Sequence, residues 1–137
     1  MSHLVPFDWP FMFTTGQHLS DLNVASMEDA WYEMEGSYEV YGIGRYRFVL
    51  PHCITALHIC IVLLAKKKGR SLSDSGIDLL LKDLGMPVQL IDSFKEIDSA
   101  ERLYIQPIGQ DDAESTATVL SKTLEVFEWL RGEIGQE

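Results

Sequence analysis

The sequence predicts an all-α protein: an up-and-down bundle of four main helices plus one short helix, behind an irregular N-terminal arm at residues 1–25. Three observations carry this. Residues 48–65 run for eighteen positions without a charge. Elsewhere, apolar residues recur at three-and-four spacing, the period of one helix face. Glycines and prolines fall between those segments, where helices stop and start.

The charge-free run, FVLPHCITALHICIVLLA, is apolar on every side: Leu50, Ile54, Leu57, Ile61 and Leu64 form one stripe, and Cys53, Ala56, Cys60 and Leu63 form the next. A helix apolar all round either crosses a membrane or forms the central rod of a bundle. Its length sits at the lower limit for spanning hydrocarbon. Pro51, His52, Thr55 and His58 interrupt it, and no second such run follows. The expectation is a buried rod with no membrane association.

Within the arm, Pro6 and Pro10 forbid a helix interior, yet Phe7, Trp9, Phe11, Met12 and Phe13 are too apolar for a solvated tail. The arm is expected to lie on the domain, residues 26–137, or on a partner subunit. Ser26 opens the first helix, with Asp29 completing a capping box. Met27, Trp31, Met34, Tyr38 and Tyr41 mark its inner face, while Glu28, Asp29, Glu33, Glu35 and Glu39 lie mostly toward solvent. Gly42 and Gly44 supply a turn. Residues 45–50 alternate like a short strand but are assigned to the start of the central helix, since a lone strand has no partner. Lys66–Lys68 and Gly69 close that helix.

Ile77, Leu80, Leu81 and Leu84 form the short helix, ended by Gly85. Pro87 begins the next, whose inner face is Leu90, Ile91, Phe94, Ile97 and Ala100. A break follows at residues 104–109, and Asp111 with Glu114 opens the last helix. Its face is read as Ala113, Ala117, Leu120, Leu124, Phe127, Leu130 and Ile134. Short connections imply antiparallel neighbours.

The chain's 137 residues suffice for one domain with its own core. A formal charge of −10 excludes non-specific nucleic-acid binding, because the phosphate term has the wrong sign. Cys53 and Cys60 stand two turns apart, about 10 Å, too far to bridge within one helix. With no signal peptide visible in residues 1–25, a reducing, cytoplasmic setting is expected.

Candidate chemistry is sparse. Arg45, Arg47 and His52 pair guanidinium with imidazole, the combination that stabilises a phosphorane-like charge and moves a proton near neutral pH. The competing reading makes the arginines end-caps and His52 a core histidine. His52 and His58 point about 120° apart around a helix, so no metal site is expected, and no cofactor motif is present. The basic run Lys66, Lys67, Lys68 and Arg70 is read as a solvated helix end, with phosphate binding as the alternative.

The run GRYRFVLPHCITALHICIVLLAKKKG, followed by SDSGIDLLLKDLG, by IDSAERLYIQPIG and by a last helix through Phe127, Trp129 and Leu130, resembles HEPN domains, the higher-eukaryote and prokaryote nucleotide-binding family. The resemblance covers roughly residues 27–134 as a pattern of helix lengths and landmarks. It implies a helical bundle, often a homodimer, working beside a minimal nucleotidyltransferase or within a toxin–antitoxin or defence system. Catalytic relatives cut RNA with an arginine a few residues ahead of a histidine near the last two helices. In this chain that spacing occurs only from Arg45 or Arg47 to His52, and no histidine follows His58. The resemblance therefore implies a non-catalytic module that docks on a protein partner and holds a nucleotide or phosphate near Arg45, Arg47, Arg102 and Tyr104. Two alternatives stand beside it: a ribonuclease using Arg47 and His52, and an acidic decoy that masks a basic, nucleic-acid-binding partner.

Overall fold

The structure, a computed structural model, describes residues 26–70, 76–103 and 113–135, with side chains described except at 100–103. The expected arm, the expected break at 104–109, the expected Asp111 cap and residues 71–75 lie outside the described residues, as does the side chain of Ala100.

Among the described residues five helices pack together: α1 (Met27–Gly42), α2 (Val49–Lys67), the short α3 (Ile77–Asp83), α4 (Val88–Leu103) and α5 (Ala113–Gly135). A single 3-10 turn, Tyr46–Phe48, leads into α2, and there is no strand among the described residues. Residues 46–50 are thus helical, as expected, with Arg45 just ahead of the turn. Pro51 occupies the third position of α2, inside the first turn, where a missing N–H forfeits no intrahelical bond.

The central rod is α2. Ile54, Leu57, Cys60, Ile61 and Leu64 are sealed from solvent on one side, and Val49, Cys53 and Val62 on others. The stretch Tyr46–Lys67 is long and apolar enough to cross a membrane, yet 83% of its most apolar window is buried inside the fold. Around it, α1 and α5 make the main flanks, while Leu81, Leu84, Phe94 and Ile97 from α3 and α4 complete the core. Chain directions follow from the contacts. Lys67 Nζ donates to the carbonyls of Glu133 and Ile134 at 2.8 and 3.0 Å, so α2 and α5 end together. Tyr41 at the end of α1 donates to the carbonyl of Ala113 at 3.3 Å, where α5 begins. Consequently α1 runs against α2 and α5.

Three helices end in one way. The chain passes through a left-handed glycine whose own N–H, and that of the residue after it, turn back to the last carbonyls. For α1 the glycine is Gly44, φ 81°, with Arg45 N–H bonded to Val40 O at 2.8 Å. Gly69 and Gly85 repeat it for α2 and α3. The lysines expected to be solvated do further work here. Lys67 ties down the carbonyl end of α5, and Lys68 Nζ bonds Leu84 O at 3.0 Å, capping α3. Two cations thus face the negative ends of neighbouring helices.

Two helix faces differ from expectation by a small rotation. On α1 the buried residues are Ala30, Glu33, Met34 and Ser37, whereas Trp31 and Tyr38 are exposed. Small residues, rather than aromatic ones, set the phase, because they let α1 approach α2 closely. On α5 the buried set includes Thr116 and Thr123, while Ala113, Ala117 and Leu124 face outward. Thr123 is tolerated inside because its hydroxyl bonds back to Val119 O at 2.7 Å. The Ser26–Asp29 cap is present, the Asp29 carboxylate accepting the Ser26 N–H at 2.7 Å.

Candidate functional site

The turn that ends α1 builds a corner. Gly44 reverses the chain, and the 3-10 turn then sets Arg45 and Arg47 outward on either side of Tyr46. Tyr46 packs its ring on Tyr41, centroids 5.3 Å apart, and Tyr41 in turn is bonded to the start of α5. The corner is therefore held by two tyrosines. Residues Gly44–Phe48 line an open hollow of about 300 Å³. Ile43 and Phe48 stand exposed beside it. Neither arginine forms an ion pair among the described residues, on a chain with a net charge of −10. An unneutralised pair of guanidiniums next to aromatic rings suits an anionic, planar group.

His52 faces elsewhere. It lies one turn into α2 and turns toward α1, where its Nδ1 meets Glu33 Oε1 at 2.7 Å. Its ring lies flat against the backbone at Gly36: a Cβ added there would sit 3.1 Å from Cε1 and Nδ1. Glu33, assigned to solvent from the sequence, is instead only 5% exposed. Burial pushes its carboxyl above the ordinary carboxylate value, and His52 partly pulls it back. The correction has a plain cause: Glu33 stands three residues from Ala30 and four from Ser37, in the phase of the small residues that face α2. A buried carboxylate at that phase requires a base on the facing helix, and His52 is that base.

Of the residues nominated from sequence, the structure brings Arg45 and Arg47 together in the corner and sets His52 apart in its own pair with Glu33. Tyr104 and the side chain of Arg102 lie outside the described residues. His58 is buried, its ring 6.0 Å from that of Phe94, as a packing piece of the core. Among the described residues, no group of three His, Cys, Asp or Glu side chains is placed to hold a metal.

Both thiols are sealed. Cys53 lies by the hydroxyls of Thr123 and Ser37, and burial pushes it up to about 11; burial alone pushes Cys60 up to about 12. Both folded values exceed the ordinary 9.0, so the protonated thiols favour folding below pH 9, and that contribution is lost as pH rises through 11 and 12. Urea titrations across this range should show each thiol steepening the fall in stability by about 1.4 kcal/mol per pH unit. Cys60→Ala should remove one such increment, and an unchanged slope would contradict the burial of Cys60.

Comparison with protein-family models, with curated proteins and with solved structures returns no match for this chain.

Proposed function

We propose that this chain is a HEPN-like helical interaction module, working as a homodimer in the cytoplasm. It docks on a protein partner of the nucleotidyltransferase or toxin–antitoxin class and holds a nucleotide or phosphate at Arg45 and Arg47. The observation that carries the reading is the corner itself: two exposed guanidiniums without carboxylate partners among the described residues, flanking a hollow edged by Tyr46 and Phe48. On an acidic protein, two adjacent unneutralised arginines make a local positive field that attracts an anion. Arg102 and Tyr104 remain part of the proposal on the strength of the sequence resemblance.

Light scattering, alone and with a co-expressed neighbouring protein, reads the assembly, and titration calorimetry with nucleotides reads the corner. A two-copy mass and a nucleotide affinity that drops about tenfold or more in Arg45→Ala/Arg47→Ala are expected. A strict monomer that binds neither protein nor nucleotide defeats the reading.

One observation favours the ribonuclease alternative. Glu33 fixes the orientation of the His52 ring, as a buried carboxylate does for a histidine that moves protons. Total RNA incubated with wild type, Arg47→Ala and His52→Ala separates the cases. Cleavage by wild type that both variants lose supports this reading; equal cleavage by all three, or none, removes it.

A further inference from the structure

The outer face of α1 is unusual in charge and composition. The helix carries Glu28, Asp29, Glu33, Glu35 and Glu39 and no lysine or arginine. With the Ala30 side buried, Tyr38, Trp31, Glu35, Glu28, Glu39 and Tyr32 fall in that order across an arc of about 120°, at 100° per residue. All six are exposed, and of the three aromatic residues Tyr32 is the most so, at 67%. Among the described residues, Glu28, Glu35 and Glu39 form no ion pair.

The same face already seats one cation. The Arg131 guanidinium of α5 lies over the Trp31 ring, 5.6 Å from its centroid, and is paired with Glu128 at 2.5 Å. An aromatic ring beneath the guanidinium and a carboxylate at its edge make a complete recognition unit. On the two sides of Trp31 along the arc, the parts recur without the cation: Tyr38 on one side, and Tyr32 with Glu35, Glu28 and Glu39 on the other.

We infer that the exposed face of α1 is a docking surface for a cationic polypeptide segment, an amphipathic helix of a partner protein with arginines along one side. Spacing supports a helix. Glu28, Tyr32, Glu35 and Glu39 follow one another by four, three and four, so they form a stripe that arginines at the same intervals would match. Charge sets the other occupants aside. A second copy would bring the same carboxylates against these in an isologous contact, and nucleic acid would bring phosphates. Residues 1–25 contain no lysine or arginine to fill the role from within the chain. The inference uses different residues from the arginine corner and stands or falls separately from it.

The test is fluorescence anisotropy with the full chain and a fluorescein-labelled helical peptide bearing arginines at i, i+4, i+7 and i+11. Three variants are compared, each checked for unchanged circular dichroism: Glu28→Gln/Glu35→Gln/Glu39→Gln, Tyr32→Ser/Tyr38→Ser, and the charge-matched control Asp83→Gln/Glu114→Gln/Glu125→Gln, all at exposed positions. Wild-type binding that weakens with salt is expected, with a loss of about tenfold in both α1 variants and about twofold or less in the control. Failure of wild type to bind, wild-type affinity in either α1 variant, or an equal loss in the control overturns it.

Discussion

Phe127→Ala is expected to lower the unfolding free energy by about 3–5 kcal/mol, a large share of the total for a domain of this size. Phe127 is fully buried, and it stands where α5 meets both α1 and α2. Its ring makes a T-shaped contact with that of Trp31, centroids 5.1 Å apart and planes at 79°, so truncation opens a cavity and removes an aromatic contact together. Leu124 lies one turn earlier on α5 and is 38% exposed, so Leu124→Ala should cost less than about 1 kcal/mol. Urea unfolding followed by circular dichroism measures both. Equal costs would mean that the inner face of α5 includes Leu124, as its sequence spacing suggests, rather than turning toward Thr123 and Val126.

His52→Ala should destabilise by about 3 kcal/mol near neutral pH, because it strands the Glu33 carboxylate in the α1–α2 interface. The pH dependence gives the sign. Burial raises the Glu33 value in the folded state above the ordinary 4.5, so its protonated form favours folding, and that contribution disappears as pH rises through the folded value. Without His52 the carboxyl loses the partner that offsets burial. The cost of His52→Ala should therefore be greatest at neutral pH and shrink as pH approaches 4.5. Adding Glu33→Gln should restore most of the loss at neutral pH, since the amide needs no counter-charge. A penalty that is flat with pH, or is unrelieved by Glu33→Gln, would assign the effect to packing against Gly36 instead.

Much of the helix order is written in local signals. The uncharged run of α2 can be satisfied only by burial or by lipid, and glycines at 44, 69 and 85 mark the places where a left-handed residue closes a helix. The inner phase of α1 is harder to read. Trp31 and Tyr38 dominate its hydrophobic periodicity, yet the interface with α2 is made by Ala30, Ser37 and the flat contact at Gly36, residues that weigh little on any apolar scale. Glu33 illustrates the same point, since local pattern sends a glutamate to solvent and only a histidine on another helix brings it inside. The Ala30–Glu33–Ser37 spacing held the available clue.

The site is legible in a different measure. Arg45 and Arg47 stand out because they follow a helix-ending glycine, and the corner does hold them at the surface. Sequence spacing joined them to His52, but spacing along a chain takes no account of which way the first turn of α2 faces. There His52 turns to α1 while the arginines stay in the preceding turn. Lys67 and Lys68 present the reverse case. They read as solvated charge, and their reach to carbonyls on α5 and α3 depends on helix ends that meet only in the folded protein.

Native-state hydrogen exchange along α2 bears most directly on the picture of an uncharged helix enclosed by its neighbours. Amides from Ile54 to Leu64 should exchange only through global unfolding, with an opening free energy equal to that from denaturant and unaltered by detergent micelles. Rapid exchange along α2 while α1 and α5 stay protected, or protection that arises only with detergent present, would contradict it.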